Sequence, residues 1–542
     1  MATFVERNYS VSTSSDHPFQ KSQLHMEKVR ILWADDEIDL LKPHILFLEG
    51  KGYEVVTTNN GRDAVDLVSN QEFDIVFLDE NMPGLNGLET LVRIKNVRNN
   101  VPVVMITKSE EEAIMEEAIG GKIADYLIKP VNPNQILLSL KKNLEEKRLV
   151  SEKASQGYQQ DFRNIGMTLS DRLSWSEWVE VYKKLVYWEL ELEKSIDSGM
   201  YDILTSQKSE ANHLFSKFVE NNYLNWLKEP EKAPLLSPSL MRKKAFPLAD
   251  GSADPVFFIL IDNLRYDQWK VIQPVLQELF RVVEEDVYCS ILPTATQYAR
   301  NAIFAGMMPS EIQKRFPDKW VGDDEEEGKN NYEDFFLQEQ LQRLRKNYKS
   351  SYTKVTNLDA GKTLVDHVPN LFGNKFNVIV YNFVDMLSHA RTDMQVIKEL
   401  AEDEKAYRSI TRSWFEHSPL LEALRRIAER PAKVIITTDH GTIRVKEPSK
   451  IVGDRNTNTN LRYKHGRNLN YEKKDVLEIR QPELASLPRA NVSTSYVFIK
   501  GDKFFAYPNN YNYYANFYRD TFQHGGISPE EMIIPVITLQ SK

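Results

Sequence analysis

The sequence predicts an α/β protein in which a helical segment separates two α/β segments. Near-continuous apolar runs alternate with helix-like stretches over residues 26–148 and again over residues 249–542. Residues 149–248 are instead rich in Glu, Lys, Leu and Trp and are predicted to form a helical connector. Buried strands that alternate with helices are typical of a doubly wound parallel sheet, in which ligands bind at the carboxyl ends of the strands.

The bulk composition is that of an ordinary globular protein, long enough for three or four domains. Its 542 residues are 41% hydrophobic and 27% charged, and the net charge of −9 disfavours a general nucleic-acid coat. Because Cys289 is the only cysteine, no intramolecular disulfide can form, which favours a reducing compartment. Residues 1–25 lack the apolar core of a signal peptide, and no apolar run reaches the ~18 residues of a membrane span. We therefore expect a cytoplasmic protein, with residues 1–25 as a disordered extension or a start-site artefact.

Five strands are predicted in residues 26–148, each as an apolar run followed by polar residues. They are VRILWADDE (29–37), YEVVTTNNG (53–61), FDIVFLDENMPG (73–84), VPVVMIT (101–107) and ADYLIKP (124–130). Their ends present Asp35, Asp36, Asp79, Thr107 and Lys129. Three carboxylates at one edge repel each other and need a cation, and oxygen ligands suit Mg²⁺. A hydroxyl and an ammonium beside them suit a transferred phosphoryl group, with Asp79 as the nucleophile that becomes an acyl phosphate.

This pattern resembles the receiver domain of two-component response regulators, which has a flavodoxin-like fold. The matching motifs are the acidic pair in DDE, the stretch DENMPGLNG, the strand-terminal Thr107 and the Lys-Pro pair at 129–130. The resemblance implies Asp79 as the phospho-acceptor, a Mg²⁺ ion bound by Asp35, Asp36 and Asp79, phosphate sensing by Thr107 and Lys129, and Tyr126 as the switch aromatic. Lys108 departs from the pattern, because a small residue usually follows the threonine.

Two long amphipathic helices are predicted in the connector, over residues 174–197 and 209–229. Ser174 and Glu177 have the spacing of a capping box at the start of the first helix. We expect the Trp and Tyr residues of both helices to be packing core. The connector would transmit the state of the receiver, and a proline-marked linker follows it before residue 256.

The second α/β segment also places polar residues after four apolar strands and, in the case of His524, in a loop ahead of the last strand. These residues are Asp262, Thr294, Thr296, Asp385, His389, Asp439, His440 and His524. Each alone is more often a cap or a surface residue, but the ordered set favours a common site. Mixed Asp and His ligation suits Zn²⁺ or Mn²⁺, and six protein ligands exceed the need of one tetrahedral ion. Two ions ~4 Å apart beside a hydroxyl favour in-line phosphoryl transfer.

The ordered set resembles the PglZ branch of the alkaline phosphatase superfamily. The resemblance implies one zinc ion bound by Asp262, Thr296, Asp439 and His440, and a second bound by Asp385, His389 and His524. Thr296 falls on the nucleophile position of the pattern P-T-x-T, and Thr294 is the reserve candidate. Sulfatases of this superfamily need a modified cysteine as the nucleophile. Cys289 lies seven residues before Thr296 in a predicted strand, which disfavours sulfatase activity.

The order of receiver, connector and PglZ domain resembles the family of PorX-type response regulators. That resemblance implies a sensor histidine kinase partner, phosphorylation-linked homodimerisation, regulation of type IX secretion in Bacteroidetes and a phosphodiesterase acting on oligonucleotides. The alternative is a non-catalytic signalling scaffold with structural zinc, which binds a secretion component or a sigma factor.

Three further segments allow more than one interpretation. Residues 444–474 contain nine Lys or Arg and three Asp or Glu, which suits either a phosphate-binding loop with Tyr463 and Tyr471 stacking on bases or a solvated loop. Residues 308–375 are predicted to be an insertion away from the catalytic strands, as a lid or a dimer element. We expect the aromatic run at 504–518 to pack on the sheet rather than line a pocket.

Overall fold

The computed structural model describes residues 28–98, 100–108, 123–170, 172–194, 198–322, 330–382, 403–454, 457–489 and 491–542. The predicted N-terminal extension therefore lies outside the described residues. The chain divides into two compact units, Met1–Val150 and Ser151–Lys542. Of the helices in the described ranges, none is both long enough and apolar enough to cross a membrane.

The first unit contains a parallel sheet of five strands with the spatial order β2-β1-β3-β4-β5. The strands are β1 (Arg30–Ala34), β2 (Glu54–Thr58), β3 (Ile75–Asp79), β4 (Val103–Thr107) and β5 (Asp125–Ile128). The described helices are α1 (Lys42–Gly50), α2 (Gly61–Asn70), α3 (Gly87–Val97) and α4 (Pro133–Leu169), the last of which ends within the second unit. All five predicted strands are confirmed, and the strand order is the doubly wound order of flavodoxin-like folds.

Local sequence explains where two of these helices begin. The side chain of Asn60 accepts a hydrogen bond from the Asp63 amide at 2.9 Å, and Asn86 does the same for Glu89 at 2.8 Å. Both asparagines thus satisfy an amide that the first helical turn leaves without a partner. Strands β3 and β4 are buried along their whole length, which matches their uninterrupted apolar sequence.

The second unit begins with the connector helices α5 (Trp175–Leu192) and α6 (Ser198–Lys228). The predicted capping box is confirmed, because the Ser174 amide donates to Glu177 Oε2 at 2.7 Å and the Glu177 amide donates to Ser174 Oγ at 3.4 Å. Trp178, Tyr182 and Trp188 are buried, as predicted, whereas the packing prediction is wrong for Tyr187, which is 54% exposed. These side chains belong to the same continuous apolar cluster as one face of the main sheet of this unit. The connector and the following α/β segment therefore share one core.

The main sheet has six strands in the order β7-β19-β10-β6-β9-β8. Its strands are β6 (Val256–Ile261), β7 (Phe280–Cys289), β8 (Ser350–Val355), β9 (Phe376–Tyr381), β10 (Lys433–Thr437) and β19 (Ile533–Ser541). Eight short strands, β11 to β18, lie between β10 and β19 along the chain. The short strands of three smaller sheets are β11 (Ile443–Arg444), β12 (Glu447–Val452), β13 (Tyr463–Gly466), β14 (Asn470–Tyr471), β15 (Val476–Ile479), β16 (Ser495–Ile499), β17 (Lys503–Ala506) and β18 (Phe522–Gln523). Strands β8, β9, β6 and β10 are parallel, whereas β19 is antiparallel to both β10 and β7.

The described helices of this segment flank the main sheet or cap its edges. They are α7 (Phe246–Asp250), α8 (Tyr266–Leu279), α9 (Thr296–Ala305), α10 (Pro309–Arg315), α11 (Glu333–Arg343), α12 (Leu358–Leu371), α13 (Glu404–Glu416), α14 (Pro419–Ala428), α15 (Tyr511–Tyr518) and α16 (Pro529–Met532). The prediction that residues 308–375 form an insertion away from the catalytic strands is wrong, because β8 pairs along its length with β9. The sequence of β8, SSYTKV, is mostly polar and has no apolar run, so this edge strand did not stand out from the polar residues around it.

Candidate functional site

Three acidic side chains meet at the carboxyl ends of β1 and β3 in the first unit. Asp35, Asp36 and Asp79 each place one carboxylate oxygen within 4.8 Å of the others. Asp35 and Asp79 are buried, whereas Asp36 is exposed. Because all the donors are oxygens and one of them faces solvent, the arrangement fits a Mg²⁺ ion that keeps some of its water.

Lys129 lies over the two buried carboxylates of this cluster. Its Nζ is 2.6 Å from Asp79 Oδ1 and 3.0 Å from Asp35 Oδ2. Burial lowers the pKa of Lys129, but its hydrogen bonds to Asp79 and Asp35 outweigh burial and raise that pKa above its usual value. Burial also raises the pKa of Asp79, and the hydrogen bond from Lys129 only partly offsets it. The ammonium is thus fixed beside the oxygens of the predicted phospho-acceptor.

The other predicted receiver residues lie on the neighbouring strands. Thr107 ends β4 and is buried, and its carbonyl accepts a hydrogen bond from the Lys129 amide at 2.7 Å. Tyr126 lies on β5 with its side chain partly exposed, and Lys108 is exposed beside Thr107. The structure therefore brings the predicted acids, threonine and lysine to one edge of the sheet.

In the second unit, a mixed cluster of Asp and His follows two adjacent strands. Asp262 comes directly after β6, and Asp439 and His440 follow β10, which is paired with β6 in parallel. These three side chains are buried, and each places one ligand atom within 4.8 Å of the others. Because both strands point the same way, their carboxyl ends bring the cluster together.

Thr296 lies at the start of α9, beside this cluster. Its hydroxyl oxygen is 3.0 Å from His440 Nε2. The hydroxyl of Thr294, the reserve candidate, instead donates to the Gly526 carbonyl at 2.9 Å and is fully buried. Thr296 is therefore the better placed of the two threonines for reaction with a bound group.

The remaining predicted ligands come from two further segments. The ring of His524 stacks on the ring of His440, with centroids 4.3 Å apart and an angle of 17° between the planes. Its Nδ1 lies 3.1 Å from the Thr294 carbonyl oxygen. His524 thus belongs to the same edge of the sheet. Asp385 and His389 lie outside the described residues.

Arg300 is a residue of this site that sequence reasoning missed. Its Nε donates to Asp439 Oδ2 at 3.0 Å, its Nη1 donates to Asn382 Oδ1 at 3.1 Å, and its Nη2 pairs with Asp262 Oδ2. The side chain is 1% exposed. Burial raises the pKa of Asp439, but the charges of His440 and Arg300 reverse this effect and hold that pKa well below its usual value. The sequence offered one signal for Arg300: it lies four residues after Thr296 and therefore on the same face of a helix that begins there.

Backbone contacts fix the turn that carries Asp439 and His440. Ser290 Oγ donates to the Asp439 carbonyl at 2.7 Å, and the Tyr288 hydroxyl donates to the Thr438 carbonyl at 2.5 Å. Tyr288 at the end of β7 and Ser290 just after it therefore hold the turn, although β19 lies between β7 and β10 in the sheet.

The donor chemistry of the cluster fits a zinc ion. Two carboxylates and an imidazole, with the Thr296 hydroxyl beside them, give the mixed oxygen and nitrogen set that Zn²⁺ accepts. Donors that each lie ~2 Å from one ion stand ~3 Å apart, which agrees with the 3.0 Å between Thr296 Oγ and His440 Nε2.

Three known families match successive parts of this chain. The response regulator receiver domain matches residues 31–141, and the PorX response regulator linker domain matches residues 148–227. The BREX system PglZ alkaline phosphatase-like domain matches residues 240–539, which is more than half of the chain. The chain belongs to the PglZ family. It is a response regulator with a receiver domain, a linker and a PglZ domain, as the sequence predicted.

Curated relatives match over a small part of the chain. The transcriptional regulatory protein ZraR of Klebsiella oxytoca is 33% identical over 140 residues, which are 26% of this chain and 32% of that protein. The alginate biosynthesis transcriptional regulatory protein AlgB of Pseudomonas syringae pv. tomato is 37% identical over 120 residues, which are 22% of this chain and 27% of that protein. The chain thus spans about a third or less of the length of these relatives.

Solved structures that are similar cover a comparable share of the chain. A CheY-like receiver domain protein from Methanospirillum hungatei JF-1 is 29% identical, with a TM-score of 0.21, and the match covers 22% of this chain and 95% of that one. The chemotaxis protein CheY4 of Vibrio cholerae is 30% identical, with a TM-score of 0.20, over 22% of this chain and 99% of that one.

The basic segment of the PglZ domain is more ordered than a solvated loop. Arg462 is buried, with its Nη2 2.6 Å from Glu531 Oε2, and Lys464 is buried with its Nζ donating to the Asn458 carbonyl at 2.7 Å. Tyr463 is also buried and packs edge-on against Tyr298 at 5.8 Å. The suggestion that Tyr463 stacks on bases is therefore wrong, because its ring lies in the core.

The aromatic run of the PglZ domain divides into two parts. Phe504 and Phe505 on β17 are buried, as the packing interpretation predicted. Tyr513, on α15, is instead 63% exposed, and Tyr514 and Phe517 are also exposed. The packing interpretation is thus confirmed for the strand and wrong for these side chains of the helix.

Replacing Gly441 by alanine is expected to destabilise the PglZ domain. A Cβ atom at Gly441 would stand 2.1 Å from the Glu530 carbonyl oxygen, so the backbone on one side must move. Overpacking of this kind costs about 1–3 kcal/mol of the free energy of unfolding. Urea denaturation followed by circular dichroism measures it, with Gly166→Ala as the control, since no atom outside its own helix turn lies within 4 Å of a Cβ there. Equal stability of the two variants would contradict the tight packing of this turn.

Proposed function

We propose that this response regulator controls a phosphoesterase that uses two zinc ions and Thr296 as its nucleophile. The observation that carries the proposal is the Thr296 hydroxyl, 3.0 Å from His440 Nε2 and beside the buried carboxylates of Asp262 and Asp439. A hydroxyl next to a mixed Asp and His cluster is the arrangement that phosphoryl transfer to the protein requires.

The proposed ligands fall into two sets. One ion would be held by Asp262, Thr296, Asp439 and His440, and the other by Asp385, His389 and His524. Bound zinc would lower the pKa of the Thr296 hydroxyl and neutralise charge on the phosphoryl oxygens.

The residues of the chain account for the remaining steps. Thr296 Oγ gives up its proton to solvent and forms a bond to phosphorus, while the bond from phosphorus to the leaving alkoxide breaks and that alkoxide takes a proton from water. Thr296 lies at the N-terminus of the ten-residue helix α9, whose backbone dipole favours the negative charge of the phosphoryl group. Water then hydrolyses the phosphothreonine and releases the phosphate product, which regenerates the hydroxyl.

The substrate class and the biological role rest on the resemblance to PorX-type response regulators. We infer that the substrates are oligonucleotide phosphodiesters. We also infer that the protein is located in the cytoplasm and regulates type IX secretion. The exposed basic side chains described in residues 444–474 support a polyanionic substrate, because they outnumber the exposed acidic ones. They are Lys446, Lys450, Arg467, Lys473 and Lys474, against Glu447, Asp454 and Glu472.

Removal of zinc provides the direct test of the phosphoesterase. The protein as purified is expected to contain two zinc ions per chain by elemental analysis and to hydrolyse bis(p-nitrophenyl) phosphate. Treatment with EDTA should abolish turnover, and added Zn²⁺ should restore it, because the buried carboxylates need a cation to hold a phosphate anion. Undiminished turnover by metal-stripped protein would exclude the proposed mechanism.

The receiver is proposed to control this output through phosphorylation of Asp79 with bound Mg²⁺. Incubation with acetyl phosphate and Mg²⁺ should yield a phosphorylated protein on phosphate-affinity gels and a shift from monomer to homodimer by sedimentation. Asp79→Asn should abolish both, because an amide oxygen is a poor nucleophile, whereas Asp66→Asn on the exposed face of α2 should abolish neither. Phosphorylation of Asp79→Asn at the wild-type level would place the acceptor elsewhere.

A non-catalytic signalling scaffold is the second candidate, and one observation favours it. Arg300 already places a guanidinium against Asp262 and Asp439, so that part of the negative charge of the cluster is balanced by the chain itself. A scaffold would bind a type IX secretion component or a sigma factor. Full zinc content without turnover of monoesters or diesters would support this candidate over the enzyme.

A further inference from the structure

Arg265 lies three residues after Asp262 and is the centre of a buried charge cluster. Its side chain is 2% exposed. The guanidinium donates from Nε to Asp267 Oδ1 at 2.9 Å and from Nη2 to Asp267 Oδ2 at 2.5 Å. Nη2 also lies 2.6 Å from Glu404 Oε2. Glu404 begins α13.

The same side chain contacts the other two segments that carry proposed zinc ligands. The guanidinium carbon lies 5.3 Å from the ring centre of Phe522, which precedes His524 by two residues. A Cβ on Gly441, the neighbour of His440, would stand 3.3 Å from Arg265 Cγ. Arg265 therefore lies beside the described segments that carry Asp262, His440 and His524.

A second arginine extends this cluster to the connector. Arg408 Nη1 lies 2.7 Å from Asp267 Oδ2 and 3.4 Å from Glu189 Oε1, and Arg408 Nη2 pairs with Glu193. Glu189 is on α5, and Glu193 directly follows that helix. Glu189 also pairs with Lys208 of α6, at 2.6 Å. The ion pairs thus run from both connector helices to Arg265.

Burial makes this series of ion pairs sensitive to displacement. The side chains of Arg408, Asp267 and Glu189 are each at most 5% exposed, so water cannot replace a lost partner. A buried charge that loses its partner is strongly unfavourable, which leaves the cluster few alternative arrangements. A shift of the connector helices must therefore move Arg408 and Asp267 together, and with them Arg265.

We propose that Arg265 is a positioning residue through which the connector helices set the geometry of the zinc-binding edge. This inference rests on the proposed function, since it concerns the same site. Movement of α5 would act on Glu193, Arg408, Asp267 and Arg265 in turn. The affinity of the site for zinc would change as a result, although no connector residue among those described is a proposed ligand.

The test uses the full chain and measures zinc affinity by competition with a chromophoric chelator. Burial raises the pKa of Glu193 to about 7, so the assay is run above that pH, where Glu193→Gln removes one charge at the connector end of the series. Arg265→Lys keeps the charge but loses the planar fork that spans Asp267 and Glu404. Both variants are expected to bind zinc at least about fivefold more weakly than the wild type, the lower end of coupling between sites. Glu180→Gln is the matched control and should bind zinc like the wild type, because Glu180 lies on α5 but is exposed and pairs with Lys183 at 4.0 Å, outside the series.

A purely structural role is separated from positioning by comparing zinc affinity with the melting temperature of the EDTA-treated proteins. Glu193→Gln is expected to lower the ion-free melting temperature, because Arg408 loses a partner. Leu204→Ala, at a buried apolar position of α6 outside the ion pairs, should lower it as well. Positioning predicts weaker zinc binding in Glu193→Gln than in Leu204→Ala, whereas an equal loss of zinc affinity in the two variants would indicate a purely structural role. Wild-type zinc affinity in Glu193→Gln and Arg265→Lys overturns the inference alone. If the wild-type protein itself binds no zinc, both the proposed function and the inference are overturned.

Discussion

Replacing Thr296 by alanine is expected to lower phosphodiester turnover by roughly 10³-fold or more, the scale of losing a nucleophile. Only this hydroxyl among the described threonines lies within hydrogen-bond distance of His440 Nε2, while that of Thr294 is committed to the Gly526 carbonyl. Initial rates with bis(p-nitrophenyl) phosphate at saturating Zn²⁺ measure the effect.

The control for this prediction keeps the hydroxyl. Thr296→Ser should retain most of the turnover, because only a methyl group is lost. Zinc content is measured on both variants, since Thr296 is also a proposed ligand and metal loss alone would lower the rate. An alanine variant that is as fast as the serine variant would remove Thr296 from the mechanism.

Replacing Arg300 by methionine is expected to destabilise the metal-free PglZ domain by about 3–5 kcal/mol, the cost of breaking a buried ion pair. The change leaves Asp262 and Asp439 facing each other without the guanidinium that now lies against both. Glu333 is a third carboxylate nearby, 3.5 Å from Arg300 Nε. Urea denaturation of EDTA-treated protein measures the loss of stability.

Added zinc sharpens this prediction. Because an ion would supply the missing positive charge, Zn²⁺ should raise the melting temperature of Arg300→Met more than that of the wild type. The control is Arg426→Met, whose partners Asp366 and Glu422 lie at the surface and whose loss should cost little. A metal-free Arg300→Met protein as stable as this control would show that the carboxylates do not depend on Arg300.

The elements of both sheets were largely predictable, because their strands are long apolar runs. Strands β3, β6 and β10 are buried on both faces, and such strands stand out from the polar residues that follow them. Strand β8 was not recognisable, since its residues are only partly buried and its sequence, SSYTKV, has no apolar run. The sharing of one core by the connector and the PglZ domain also has no local signature, because it depends on which helix faces meet.

The candidate sites were predictable where the ligand types are unusual at strand ends. Asp35, Asp79, Asp262 and Asp439 all lie at the ends of apolar strands. Parallel pairing of β1 with β3 brings Asp35 close to Asp79, and parallel pairing of β6 with β10 brings Asp262 close to Asp439. Arg300 was not predictable in the same way, because a basic residue within a helix is normally at the surface. The ion pairs of Arg265 likewise join residues from distant parts of the chain, whose proximity only the folded structure reveals.

The position of β19 in its sheet has a consequence for synthesis of the protein on the ribosome. Residues 533–541 lie between β10 and β7, so both of these strands have an unpaired edge until that segment has been made. The receiver, within residues 1–150, contains all the strands of its own sheet and can fold long before. At translation rates of 5–20 residues per second the delay is roughly 20–80 s. A nascent chain that stalls before residue 533 would thus present a folded receiver joined to an open sheet, a natural substrate for chaperones.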